Sequence, residues 1–261
     1  MKRTLVKDNA ESFPKEIRDF VTNCDIYNSS CSPEAKVWFA DKDNGYFIKN
    51  SVKNSLEKEA LMTDYLFQKG LSAKTLCYIT CKSDWLVTER IKGEDCTFEK
   101  YTKNPQKLCE TLAESMLLLH SQNAENCPIA DRMKDYQNTV LENYQKGVFD
   151  PLGFSKSLEG LDRQKYFEYF CANKSKLESN TLIHGDFCLP NIILDDMKFS
   201  GFIDVGNGGV GDLHVDVFWC IWTLKFNLKT DRYTDYFLDA YGRDRIDPER
   251  LLLIECAEAF G

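Results

Sequence analysis

The stretch from His184 to Gly206 constrains this chain most. Two short apolar runs, Ile192-Ile193-Leu194 and Phe199 to Ile203, flank the polar Asp195-Asp196-Met197-Lys198. Such a pair around a turn reads as a β-hairpin. A hairpin brings its ends together, so Asn191 and Asp204 are expected opposite each other at its open end. An amide oxygen beside a carboxylate is a pair of hard oxygen donors suited to Mg²⁺. Asp186 stands upstream, on the loop His184-Gly185-Asp186 that enters the first strand, where a carboxylate can reach a substrate hydroxyl. Asp, four residues, Asn, then Asp-x-Gly is the order that phosphoryl transfer uses. The first carboxylate orients or deprotonates the hydroxyl, and Asn191 and Asp204 hold the metal.

Phosphoryl transfer also needs a cation on the donor phosphates and a carboxylate to fix that cation. The N-terminal half supplies both. Ala35 to Ala40 and Tyr46 to Lys49 read as strands around the turn signal Asp43-Asn44-Gly45. A helix is expected from Ser55, as its cap, to Gln68, with Gly70 as its stop. Lys49 ends the second strand and Glu59 lies in the first turns of the helix, so the two are expected to pair. Glu57 is a weaker candidate for the same job. Ser29 to Ser32 forms the candidate phosphate loop, with the hydroxyls of Ser30 and Ser32 and its backbone N–H groups as contacts. A Ser-Pro turn without a ligand has the same appearance. Phe47, on the same strand face as Lys49, is a candidate for stacking on the purine or for the core. Thr88, Glu89 and Ile91 offer backbone groups to the base edge. The implied donor is ATP or GTP with Mg²⁺.

The rest of the chain defines the class. Strands near Thr75–Thr80 and Trp85–Thr88 complete a β-rich first part, and a polar linker runs from Glu89 to Phe98. Helical patterns then take over, over residues 105–120, 131–146, 158–177, 216–228, 231–241 and 248–260. This is an α+β chain with two expected lobes, 1–92 for the nucleotide, hinge included, and 93–261 for catalysis and the acceptor. A net charge of −8 argues against nucleic acid and anionic membranes and suits a cationic acceptor. No apolar run approaches a membrane span and no secretory signal opens the chain, so a cytoplasmic protein is expected. Eleven cysteines without metal-ligand spacing fit free thiols in a reducing compartment. His184 is as well read as a buried brace of its loop as an acid or base, and His120 and His214 are read as buried structural residues.

Several motifs in order resemble the aminoglycoside 3′-phosphotransferases, within the wider aminoglycoside and choline kinase group. Ser32-Pro33-Glu34-Ala35-Lys36-Val37-Trp38 is similar to that family's Ser-Pro loop, with one extra residue. Lys49 and Glu59 match its strand lysine and helix glutamate. Leu118-Leu119-His120-Ser121, Cys127-Pro128, His184 to Ile192, Ser200 to Gly206 and Asp216 to Cys220 match further segments. The resemblance implies a protein-kinase-like bilobal fold: a small antiparallel sheet with one helix, then a mainly helical lobe. It also implies a constitutive enzyme, because Gly185 stands where protein kinases carry an arginine that reads a phosphorylated loop. The acceptor half departs from the family. Of the acidic loop that holds ammonium groups, only Asp150 remains between Val148 and Lys156; Glu258 and Phe260 resemble the family's C-terminal end, but Ala257 replaces an acidic neighbour. Asn207 stands where many members have arginine. The implied acceptor is a small cationic molecule with a hydroxyl, first an aminoglycoside, which would make the protein an antibiotic-resistance enzyme. A sugar or amino alcohol is the alternative, and a catalytically silent nucleotide-binding regulator a third reading.

Overall fold

The structure is a computed structural model and describes residues 3–31, 33, 35–153 and 155–261. Ser32, Glu34 and Phe154, which the sequence reading placed in loops, lie outside the described residues. The chain packs as two compact units: Met1–Lys103 with Pro190–Gly206, and Asn104–Leu189 with Asn207–Gly261. Residues 93–103 and the hairpin therefore pack with the N-terminal sheet.

In the first unit a six-stranded antiparallel sheet has the order β1-β2-β3-β4-β6-β5. Its strands are Thr4–Leu5 (β1), Asp25–Asn28 (β2), Lys36–Asp41 (β3), Tyr46–Val52 (β4), Thr75–Thr80 (β5) and Ser83–Glu89 (β6). Phe13, Ile17, Val21, Ile26, Trp38, Ile48 and Val87 bury one face. After Pro14 the chain makes one 3₁₀ turn, Lys15–Ile17, and one α turn, α1 (Arg18–Val21), before Asn23 turns it with φ +60°. Between β3 and β4 the expected turn closes with Gly45 N–H donating to Lys42 O at 2.8 Å. Gly45 has φ +97°, and a Cβ there would come 2.6 Å from the Phe39 ring.

The helix after β4, α2 (Glu57–Gln68), has no side-chain cap of its own, which corrects the assignment of Ser55. The Ser55 hydroxyl donates to Val52 O at 2.7 Å. The N–H of Leu56, the residue just before the helix, is taken at 3.0 Å by Asp84 of β6. Asp84 is fully buried and also accepts from the Thr80 and Tyr78 hydroxyls at 2.6 and 3.1 Å. A carboxylate remote in sequence does the work a local cap does elsewhere. Gly70, with φ +72°, ends the helix as expected; Gly70 N–H and Leu71 N–H bond Phe67 O and Leu66 O at 2.8 and 2.9 Å.

The expected linker contains a short strand, β7 (Glu94–Asp95), followed by one helical turn, α3 (Glu99–Thr102). Strand β7 pairs with the hairpin, whose strands are β9 (Ile192–Asp195) and β10 (Lys198–Phe202). Asp196 and Met197 link the hairpin with φ +49° and +61°, the positive pair of a two-residue turn. An irregularity between Phe199 and Gly201 shifts the register. Ile192 lies opposite Phe202 and Ile203 N–H bonds Asn191 O at 3.0 Å. Asn191 thus faces Ile203, and Asp204 is one residue beyond it.

The second unit is helical: α4 (Pro105–His120), α5 (Arg132–Lys146), α6 (Arg163–Asn173), α7 (Leu213–Leu228), α8 (Thr234–Tyr241) and α9 (Pro248–Glu258). Helix α6 is shorter than expected because Asp162 caps it, accepting Lys165 N–H at 2.9 Å. A two-stranded ribbon of β8 (Thr181–Ile183) and β11 (Gly209–Gly211) adds to these helices. Met133, Val140, Tyr166, Phe170, Leu253 and Phe260 belong to one hydrophobic core cluster there. None of the eleven cysteines forms a disulfide. No helix among the described residues is long and apolar enough to cross a membrane.

Candidate active site

Lys49 occupies the central strand of the first unit, opposite Val37 on one side and Leu86 on the other. Its Nζ lies 2.7 Å from Glu59 Oε2 and 2.7 Å from Asp204 Oδ1. Glu59 is buried, whereas Glu57 is exposed, so the first turn of α2 turns Glu59 and not Glu57 to the lysine. Burial pushes the Glu59 carboxyl up to about 6, although the Lys49 charge opposes this. Burial pulls Lys49 down, yet Glu59 and Asp204 outweigh it and hold the ammonium above its usual value. Phe47 is half-buried with its ring 5.2 Å from that of Phe39, and Thr88 is its cross-strand partner. Glu89 is exposed and Ile91 half-buried; Glu89 N–H is already bonded to Lys74 O at 3.0 Å. Ser30 is exposed, and its hydroxyl oxygen accepts Val37 N–H at 2.9 Å. Ser32 lies outside the described residues.

Asn191 is buried and Asp204 keeps about half its side-chain surface. Asp204 has φ +58°, a conformation uncommon for a residue with a side chain. Among the described residues no group of three or more His, Cys, Asp or Glu forms a metal cage. One amide and one carboxylate fit the Mg²⁺ mode in which water and substrate phosphates complete the shell.

In the second unit Asp186 is held by a network anchored on Asp216, a fully buried carboxylate in the first turn of α7. Asp216 Oδ2 accepts His184 N–H at 2.8 Å and Oδ1 accepts Gly185 N–H at 2.7 Å. His120 Nε2–H donates to Oδ2 at 3.0 Å, and the Tyr241 hydroxyl donates to His120 Nδ1 at 2.8 Å. That tautomer follows from Asp216 being an acceptor only. His184 Nδ1 in turn accepts Asp186 N–H at 3.3 Å. Two turns further along α7, Thr223 Oγ1 accepts Leu189 N–H at 3.2 Å. One face of a helix therefore grips both ends of the loop. His184 is a brace, and Gly185 has φ +80° with no room for a Cβ, which would lie 1.9 Å from Asn207 O.

A concavity of about 280 Å³ in the same unit is lined by Asp186, Arg132, Tyr136, Asn207, Trp219 and Glu258, among others. Glu258 Oε1 accepts the Tyr136 hydroxyl at 2.7 Å. Burial drives the Glu258 carboxyl up to about 7, against hydrogen bonds from Tyr136 and Trp219 and with the Asp186 charge adding to the rise. The helix that carries Glu258 is tied to α7: His214 Nδ1–H donates to Asp212 at 2.6 Å, and His214 Nε2 accepts Asp247 N–H at 2.8 Å.

Of the four candidate acceptor contacts, Asn207 and Glu258 line this pocket and Asp150 and Phe260 do not. Asp150 is exposed and its N–H bonds Ala259 O at 2.8 Å. Phe260 is fully buried among Tyr144, Phe149 and Phe167, so its side chain belongs to the core. The sequence reading missed Arg132, Tyr136 and Trp219 in the pocket and the anchoring role of Asp216. A carboxylate between the apolar residues of a buried helix was the available signal for Asp216, since such a group needs donors.

A two-part fold of this kind, with a Lys–Glu–Asp cluster in one part and a braced aspartate in the other, defines a kinase-like phosphotransferase. The chain belongs to the phosphotransferase enzyme family, whose model matches residues 39–254. It is 44% identical to a probable aminoglycoside 3′-phosphotransferase of Lactococcus lactis over 97% of each chain. It is 27% identical to an aminoglycoside 3′-phosphotransferase of Niallia circulans over 64% of each. Among solved structures, an aminoglycoside-3′-phosphotransferase of type VIII superposes with a TM-score of 0.77 at 21% identity, over 95% of this chain and 97% of that one. A Streptomyces rimosus aminoglycoside phosphotransferase in complex with ADP and streptomycin gives a TM-score of 0.65 at 20% identity, over 86% and 90%.

Proposed function

We propose that this phosphotransferase moves the γ-phosphate of ATP or GTP to a hydroxyl of an aminoglycoside, as a cytoplasmic antibiotic-resistance enzyme. Lys49, fixed by Glu59, takes the donor phosphates, with Ser30 and Ser32 on the phosphate loop and Phe47, Thr88, Glu89 and Ile91 about the base. Asn191 and Asp204 would hold Mg²⁺, which supplies charge neutralisation on the phosphates. Lys49 exchanges its contact with Asp204 for phosphate oxygens when the donor binds. Asp186 accepts or orients the proton of the attacking hydroxyl, and Asn207 and Glu258 contact the acceptor. The observation that carries this reading is Asp186, held by the Asp216 network, lining a pocket together with Glu258. An ammonium group and a reacting hydroxyl need these two carboxylates.

The scarcity of carboxylates in that pocket, Asp186 and Glu258 beside Arg132, favours a second reading, a sugar or amino alcohol acceptor. Turnover of ATP and GTP with Mg²⁺ across aminoglycosides, amino alcohols and sugars separates them. Phosphorylation of aminoglycosides is expected; turnover confined to the other classes would refute the first reading. A folded protein that binds nucleotide without turning it over would be a regulator.

A further inference from the structure

Arg132 is the unexpected charge in the acceptor pocket. It is the first residue of α5, after the capping Asp131. Its Nε donates to Asn207 O at 2.9 Å and its Nη2 to Asn207 Oδ1 at 3.3 Å. The carbonyl it holds is the one packed against Gly185, next to Asp186, so the guanidinium is fixed close to the reacting group. Among the described residues no carboxylate forms an ion pair with it. Burial pulls its pKa below the usual value, although Asp135, Tyr136 and Glu258 oppose this. Two of its five N–H donors are used.

A half-buried cation without an ion-pair partner, in a pocket meant for a cationic acceptor, is costly unless it does something for recognition. An ammonium group has only donors, so it meets Arg132 with like charge and no hydrogen bond. A hydroxyl accepts from the guanidinium. A pocket of about 280 Å³, at the low end of small-molecule sites, has room for one substituted ring rather than a whole oligosaccharide. Besides Asp186 at the reacting hydroxyl, the ring inside it therefore meets one negative partner, Glu258, and one positive partner, Arg132.

We propose that Arg132 is a specificity-determining residue. It selects acceptors whose reacting ring turns a hydroxyl toward it and an ammonium toward Glu258, and it rejects those with an ammonium at both places. This rests on the aminoglycoside reading above and narrows it to a subclass of those acceptors.

The test uses matched pairs of aminoglycosides that differ only in a hydroxyl or an ammonium on the ring that is phosphorylated. One pair is needed for each amine-bearing position. In the wild type, the hydroxyl member of one pair is expected to have the higher kcat/KM by about tenfold, or about 1.4 kcal/mol, mainly through KM. Arg132→Gln should bring that ratio within about twofold with the nucleotide KM unchanged, and Arg132→Lys should keep the preference. The wild-type ratio should also shrink between low and high salt, since the discrimination is by charge; this reading needs no variant to fold. Three results would overturn the proposal: no preference in any pair, a preference that survives Arg132→Gln, or one that does not respond to salt. If aminoglycosides are not turned over at all, the acceptor class is wrong. The same ratio measured with an amino sugar and its parent sugar then decides on Arg132 separately.

Discussion

Asp216→Ala is the substitution whose consequences the structure specifies most fully. The carboxylate is completely buried and receives His184 N–H at 2.8 Å, Gly185 N–H at 2.7 Å and His120 Nε2–H at 3.0 Å. Alanine leaves three donors without an acceptor, each worth about 1–3 kcal/mol when stranded. Local relaxation and water entry reduce the sum, and removing one partner of a buried charged cluster costs about 3–5 kcal/mol. That is the expected loss for the second unit. At about 2–4 °C per kcal/mol for a chain of this size, its melting temperature should fall by roughly 10 °C. Asp216→Asn keeps one acceptor oxygen and turns an NH₂ toward an N–H, so about half of that loss is expected. The loop carrying Asp186 is no longer fixed in either variant, and a displacement of about 1 Å costs on the order of 100-fold in turnover. The nucleotide KM should not change, because Lys49 and Asp204 belong to the other compact unit. Urea unfolding with steady-state kinetics measures both. An asparagine variant within about 0.5 kcal/mol of wild type, with turnover intact, would refute the anchoring role.

Glu258, with its carboxyl raised to about 7, should give an acceptor kcat/KM that rises with pH through that value, because only the charged form pairs with an ammonium. Glu258→Gln should flatten the profile. The sign for stability is opposite: the raised carboxyl contributes stability below pH 4.5 that is lost as pH rises to about 7, so the glutamine variant should also show less pH dependence of unfolding there. Gly185→Ala places a Cβ 1.9 Å from Asn207 O at φ +80°; more than about 2 kcal/mol of stability should be lost, with most of the activity, measured by denaturant midpoint and turnover. Asp84→Ala strands the Leu56 N–H and two hydroxyls, so hydrogen exchange should show early opening of α2, at a cost of about 2–4 kcal/mol.

Local chemistry made the hairpin and the Lys49–Glu59 pair legible. Turn residues, strand alternation and a helix stop at Gly70 are short-range signals, and they located Lys49, Glu59, Asn191 and Asp204 within a residue or two. Features set by long-range contacts were not legible. The cap of α2 comes from Asp84, 28 residues away, so no local pattern could replace Ser55. The pocket is assembled from α5, the Asp186 loop, α7 and the end of α9, which no spacing rule connects. Phe260 illustrates the same limit: a terminal aromatic residue looks available to a ligand until the tertiary core claims it.

The central claim is that Asp186 acts on the acceptor hydroxyl while the first unit holds the donor. The direct measurement is the mass of an aminoglycoside incubated with ATP, Mg²⁺ and either wild type or Asp186→Asn, alongside nucleotide affinity. One added phosphate with wild type, its loss by more than about 1,000-fold in the variant, and unchanged nucleotide binding are expected. A variant that still transfers phosphate at near wild-type rate, or that loses the nucleotide instead, would contradict the account.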